Sequence, residues 1–248
     1  MDIKGKVALV TGASSGIGAA TARKLAAEGV IVGLAARRKE RLETLVAEIA
    51  ACGGEAAALE TDVTDPASCK AAAEALTARF GRIDLLVNNA GLMPLSDVDN
   101  LKVGEWQRMV DVNVSGVLNA TAAVLPQMIA QHSGHIFNMS SIAGRKVFTG
   151  LTVYCATKAA VAAFSDGLRM EIGPKHNIRV TCIQPGAVKS ELYDQITDAN
   201  YRKQMDDLAA SMTFLEGTDI ADTILFALKS PARMDVAELF VLPTEQGW

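Results

Sequence analysis

The 248-residue chain is half hydrophobic and 21% charged, enough apolar material for a sizeable core and too little charge for wholesale disorder. Its formal charge of −4 disfavours a general nucleic-acid binder, whose footprint is a basic face. Length alone allows one large α/β domain or two small ones.

The opening residues Met1-Asp2-Ile3-Lys4-Gly5-Lys6 lack the apolar stretch of a signal peptide, and no long run is both uncharged and uniformly apolar, so a cytoplasmic, membrane-free chain is expected. Val7–Val10 is an apolar run ending at Thr11-Gly12, and Ile17–Glu28 has helical spacing closed by Gly29. Val30–Ala35 predicts a second strand, Arg38 to Ala51 a charged helix, and Ala56–Leu59 a third strand. Thr64-Asp65-Pro66 places a capping residue and a first-turn proline at the start of a third helix. Ile83–Val87 is a fourth strand leading into Asn88-Asn89-Ala90-Gly91.

The second half continues with a long helix over Val103–Gln131 that tolerates Pro126 as a kink, a strand at His135–Met139 and a helix over Thr152–Glu171. A strand at Arg179–Ile183, a helix at Asp219–Lys229 and a strand at Glu238–Leu242 complete the pattern. Continuous apolar strands imply burial on both faces, and intervening helices imply right-handed parallel connections. The expectation is one Rossmann-type, doubly wound α/β domain over residues 1–248, with a mainly parallel seven-stranded sheet and helices on both faces.

Cys52, Cys69, Cys155 and Cys182 form no CxxC pair and share no zinc spacing with histidine, so they read as free thiols and no metal site is expected. His132, His135 and His176 read as surface or helix-end residues.

Thr11-Gly12-Ala13-Ser14-Ser15-Gly16-Ile17-Gly18 lies between the first strand and the first helix, where this architecture binds a pyrophosphate. Gly12 permits a tight turn, Gly16 lets backbone approach a phosphate, and Gly18 lets the helix pack on the sheet. Helix-terminal N–H groups and the Ser14 and Ser15 hydroxyls face the anion. A purely structural glycine turn is the alternative; position after the first strand favours binding. The second strand ends at Ala36-Arg37-Arg38, with no acid to repel a 2′-phosphate and two cations to clamp it, so NADPH is favoured over NADH.

Tyr154 and Lys158 stand one helical turn apart, with Ser141 thirteen residues upstream of Tyr154. A hydroxyl, a phenol and a cation on one side of a fold suit proton transfer to a carbonyl.

Taken in order, TGASSGIG at 11–18, Asp62-Val63, NNAG at 88–91, Asn113, Ser141, Tyr154-x-x-x-Lys158 and Pro185-Gly186 resemble the short-chain dehydrogenase/reductase family, in its compact NADP(H)-dependent carbonyl reductase branch. The resemblance spans Lys6 to Ser190. It implies that Gly12, Ser14, Ser15, Gly16, Ile17, Gly18, Arg37 and Arg38 bind the cofactor's phosphates, and that Asp62 and Val63 contact adenine. It also implies that Asn89, Ala90 and Gly91 line the cofactor, and that Pro185, Gly186, Val188 and Ser190 hold the nicotinamide end. Tyr154 is then the general acid in reduction of a ketone or aldehyde, Lys158 favours its phenolate and holds the nicotinamide ribose, Ser141 orients the substrate oxygen, and Asn113 holds a relaying water. A substrate lid is implied at about 191–215, with Met93, Leu95, Arg145 and Lys146 nearby, and a homotetramer or homodimer through the helices at 103–131 and 152–171. Two other functions remain open on this fold: a 3-oxoacyl-carrier reductase and a non-catalytic NADP(H)-sensing regulator.

Overall fold

A computed structural model describes residues 2–247. The first half runs β1 (Val7–Thr11), α1 (Gly16–Ala27), β2 (Ile31–Ala36), α2 (Lys39–Ala51), β3 (Ala56–Glu60), α3 (Pro66–Phe80) and β4 (Leu85–Asn88). The second half runs α4 (Val103–Val110), α5 (Gly116–Gln131), β5 (Gly134–Met139), α6 (Thr152–His176), β6 (Ile178–Pro185), α7 (Ala199–Ser211), α8 (Gly217–Lys229) and β7 (Glu238–Val241). The strands form one sheet in the order β3-β2-β1-β4-β5-β6-β7, and every pair in it is parallel.

Successive strand residues point to opposite faces, and here both faces are dry. Ala8, Val10, Val32, Leu34, Leu85 and Val87 pack with Leu25 of α1, Leu42 and Leu45 of α2, and Ile220 and Ile224 of α8. The intervening Val7, Leu9, Leu86, Ile136 and Val180 pack with Leu76 of α3, Val124 and Met128 of α5, and Ile172 of α6. A third cluster forms above the strand ends, where Leu92, Met93 and Leu95 meet Met109, Tyr154, Ile196 and Tyr201. Chain order reverses between β1 and β4, which neighbour each other although two strands separate them in sequence. At such a switch point the loops diverge and leave a crevice at the carboxyl ends of the strands.

Local chemistry sets several boundaries, the start of α3 among them as expected. Asp65 accepts from the Ala67 N–H at 2.9 Å, ahead of Pro66 in the first turn of α3, and Gly81 ends that helix in a left-handed conformation (φ 78°). α8 begins with a reciprocal Glu216–Asp219 capping box. Four features differ from expectation. β6 reaches Pro185, and α6 continues through Gly173-Pro174 to His176. The helix over 103–131 is broken by a π-helical turn at Asp111–Ser115, while Pro126 stays inside α5. His135 is buried, stacked on Phe137 with ring centroids 3.9 Å apart and hydrogen-bonded to Thr181 at 2.8 Å. His132 and His176 do sit at helix ends.

The 103–131 helix has the length and mean hydropathy, 1.2, of a membrane span. Two of its polar groups are committed within the fold: Asn119 donates to the Val63 carbonyl at 2.9 Å, and Thr121 accepts from Asn88 at 3.1 Å.

Candidate active site

The glycine loop is shaped by close backbone approach. Gly12 has φ +65°, and a Cβ there would lie 2.8 Å from the Ala90 Cα; a Cβ on Gly18 would collide with the Gly12 carbonyl. Only glycine lets the β1–α1 loop and the β4 loop meet at this spacing. Thr11 Oγ1 receives the N–H groups of Asn89 (3.0 Å) and Ala90 (3.1 Å), and Asn89 Nδ2 donates back to the Thr11 carbonyl at 3.0 Å. The two loops are thus fixed as one wall.

A second wall comes from the π-helical turn. Asn113 is buried; its Oδ1 accepts from the Leu92 N–H and its Nδ2 donates to the Leu92 carbonyl, both at 2.9 Å, with a further bond to Thr157 Oγ1 at 3.2 Å. One side chain therefore ties the loop after β4 to α6. π-helical turns recur where a helix must aim a side chain that regular α geometry would misplace.

Ser141 and Ser140 end β5 with different duties. Ser140 Oγ donates to the Lys158 carbonyl at 2.7 Å and pins α6 to the strand end. Ser141 Oγ accepts from the Ala143 N–H at 3.1 Å and hydrogen-bonds the Tyr154 phenol. On α6, Lys158 Nζ donates to the Met139 carbonyl at 2.8 Å and lies 5.5 Å from the centre of the Tyr154 ring. Asn113 Oδ1 and Lys158 Nζ both face Gly91, at 3.4 and 3.7 Å from where its Cβ would be.

Burial dominates the titration of this group. It raises the Tyr154 phenol well above its ordinary value, against the pull of the Ser141 hydrogen bond. It lowers the Lys158 ammonium to about 8. The phenol is therefore neutral and the lysine largely charged at pH 7.

A cavity of about 980 Å³ runs from Arg37 and Arg38 past the glycine loop to Tyr154 and on to α7. Of the residues expected at the site, all line it except Gly18 and Asn113, which stand behind the wall. Met93 and Leu95 line it too. Arg145 and Lys146 do not: Arg145 turns to Gln184 and Glu238 and covers the Phe240 ring, while Lys146 lies over Phe148. The apolar stripe of 192–214 divides, with Leu192, Tyr201, Met205 and Leu208 on the cavity and Phe214 against Tyr193.

Several participants escape sequence reasoning. Gln246 accepts from the Ala187 N–H at 2.9 Å beside Gly186, and Arg41 and Glu191 join Arg38 at the cavity mouth. Arg108, Tyr193 and Gln204 add polar groups to the lining. Gln246 and Glu191 are distant in sequence from the groups they bind, so no spacing announces them.

A family model described as short chain dehydrogenase matches residues 6–200. The chain belongs to the short-chain dehydrogenase family. This short-chain dehydrogenase is similar to an uncharacterized oxidoreductase of Listeria monocytogenes, Lmo0432, at 45% identity covering 100% of both chains. In structure it is similar to an alcohol dehydrogenase of the archaeon Thermococcus sibiricus complexed with 5-hydroxy-NADP (TM-score 0.86, 29% identity, 98% of each chain). It is also similar to the closed form of a serine dehydrogenase complexed with NADP+ (TM-score 0.85, 33% identity, 98% of this chain and 96% of that one).

Proposed function

We propose that this short-chain dehydrogenase is an NADPH-dependent reductase that converts a ketone or aldehyde into an alcohol, with Tyr154 as general acid. The observation that carries the reading is the convergence of Ser141, Tyr154 and Lys158 on one cavity wall, with Asn113 bracing it from behind. The NADP complexes of the two similar structures support the cofactor. So does the fit of the residues: a glycine loop with no room for Cβ atoms, and Arg37, Arg38 and Ser14 on the cavity with no carboxylate at Ala36.

When bound, NADPH supplies the hydride. The protein supplies the proton and the electrostatics. Tyr154, kept protonated by burial, donates to the oxygen that gains charge as the carbonyl is reduced. Ser141 has one hydrogen to donate, and as the substrate oxygen gains charge it passes to that oxygen in exchange for the bond to the Tyr154 phenol. Lys158, held by the Met139 carbonyl, offers a positive charge beside the phenolate left behind. Asn113 and Lys158 flank the space at Gly91, which suits a water that returns a proton to Tyr154.

Residues 1–248 act as a single unit in this reading, with 191–215 as the lid over the substrate. The chain works in the cytoplasm, in keeping with its free thiols. Copies associate through α5 and α6, where Leu118, Ala159, Ala160 and Ala163 form an exposed apolar face. Tyr154→Phe is the direct test. NADPH consumption with a panel of carbonyls should fall to background while NADPH binding, read by fluorescence titration, stays within about threefold; a variant that retains more than a few per cent of kcat removes Tyr154 as the acid.

A further inference from the structure

Arg38 is drawn in two directions at the cavity mouth. Its guanidinium donates to Ser14 Oγ (2.8 and 3.1 Å) and to Ser15 Oγ (2.8 Å), and its remaining amine donates to Glu191 Oε2 at 2.8 Å. Arg41, one turn into α2, donates to the other Glu191 oxygen at 2.6 Å. Glu191 lies 153 residues from Arg38 in sequence, at the start of a short 3₁₀ turn (Glu191–Gln195) that precedes α7. The residue before it, Ser190, abuts Gly16 of the glycine loop. Two arginines on two carboxylate oxygens form the arrangement in which arginine binds a phosphate.

A second contact on the same turn follows the same logic. The Tyr193 phenol oxygen takes the backbone N–H of Val188, another residue of the expected cofactor wall. The turn thus satisfies cation and N–H groups at two separate places along one cavity with its own acceptors.

We propose that Glu191 is a specificity-determining residue for the cofactor: its carboxylate holds Arg38 and Arg41 as an internal substitute for a phosphate, and it competes with the 2′-phosphate for them. The proposal rests on the NADPH reading above. Glu191 is charged throughout the working pH range, because the Arg38 hydrogen bond and then Arg41 hold its carboxyl at about 2. Protonation therefore does not release the arginines; an incoming dianion must displace the carboxylate or sit beside it. Either outcome weakens binding of the 2′-phosphorylated adenosine moiety and leaves the unphosphorylated one nearly untouched. A looser grip on the phosphate also speeds release of the spent cofactor, a step that limits turnover in many enzymes.

The test is isothermal titration of wild type and Glu191→Gln with 2′,5′-ADP and with 5′-AMP. Glu191 is solvent-accessible, so the substitution keeps shape and leaves the core intact. The expected result is about fivefold tighter 2′,5′-ADP binding, the scale of a partly exposed charge pair, with 5′-AMP changed by less than about twofold. Preference for 2′,5′-ADP in wild type with no gain in Glu191→Gln overturns the proposal alone, as does weaker binding in the variant. Equal gains for both probes overturn the assignment to the 2′-phosphate. Wild type that binds both probes equally overturns the NADPH reading itself, and the proposal with it.

Discussion

Replacing Lys158 with methionine should make the protein more stable while it destroys activity. The side chain is 5% exposed and its ammonium is held at about 8 by burial, against 10.5 for a solvated lysine. At pH 7 the charge is present in both folded and unfolded chains, and the folded state carries a burial cost of roughly 3 kcal/mol. Methionine fills a similar volume without the charge but forfeits the hydrogen bond to the Met139 carbonyl, worth roughly 1 kcal/mol. The net expectation is a stabilisation of about 2 kcal/mol at pH 7. The advantage depends on pH in a definite direction. As pH rises through 8 the folded wild type sheds its proton while the unfolded chain keeps it up to about 10.5, so wild-type stability climbs and the variant loses its lead. By pH 10 the difference should be near zero. Urea unfolding of the cofactor-free proteins at pH 7 and pH 10 reads both values. A variant no more stable than wild type at pH 7, or a gain that persists undiminished at pH 10, refutes the argument that a desolvated charge is held in this site.

Two further outcomes follow from the cavity and from the surface. Arg37→Ala should raise the KM for NADPH by tenfold or more, on the scale of a lost charge-assisted contact, with little change for NADH; steady-state kinetics with both cofactors checks this, and equal effects on the two contradict a 2′-phosphate contact. Light scattering of the purified protein should give a mass of four chains (or two), with Leu118→Glu shifting it toward the monomer; a monomeric wild type contradicts assembly through α5 and α6.

Much of this architecture was legible because its signals are local. The strands of a doubly covered parallel sheet must be short apolar runs, and Val7–Val10, Ile83–Val87 and His135–Met139 all fell within a residue or two of the observed β1, β4 and β5. The glycine loop and the Tyr154–Lys158 pair were legible because backbone geometry and helical periodicity are properties of neighbours. What escaped depends on distance. His135 looked like a surface residue because nothing beside it indicates that Thr181, on the adjacent strand, will take its ring nitrogen. Arg145 follows the serine loop and reads equally as a charge for an acidic substrate or as a solvated loop residue, and Glu238 of β7 draws it into neither role. Arg41 looked like ordinary charge on an exposed helix until folding brought Glu191 to it. Asn113 was legible as a position but not as a brace, since its partners, Leu92 and Thr157, come from two different segments.

The π-helical turn at Asp111–Ser115 has a consequence for how this surface can vary. One extra residue in a turn swings everything before it by about 100° around the helix axis. α4 therefore presents Trp106 and Met109 to the cluster above the strand ends, while α5, beyond the turn, keeps Ala120, Val124 and Met128 against the sheet. A continuous helix would have bound both faces to a single register, so that each change beside the cavity disturbed the scaffold. With the register broken, α4 can be rewritten for a new substrate while α5 stays as it is.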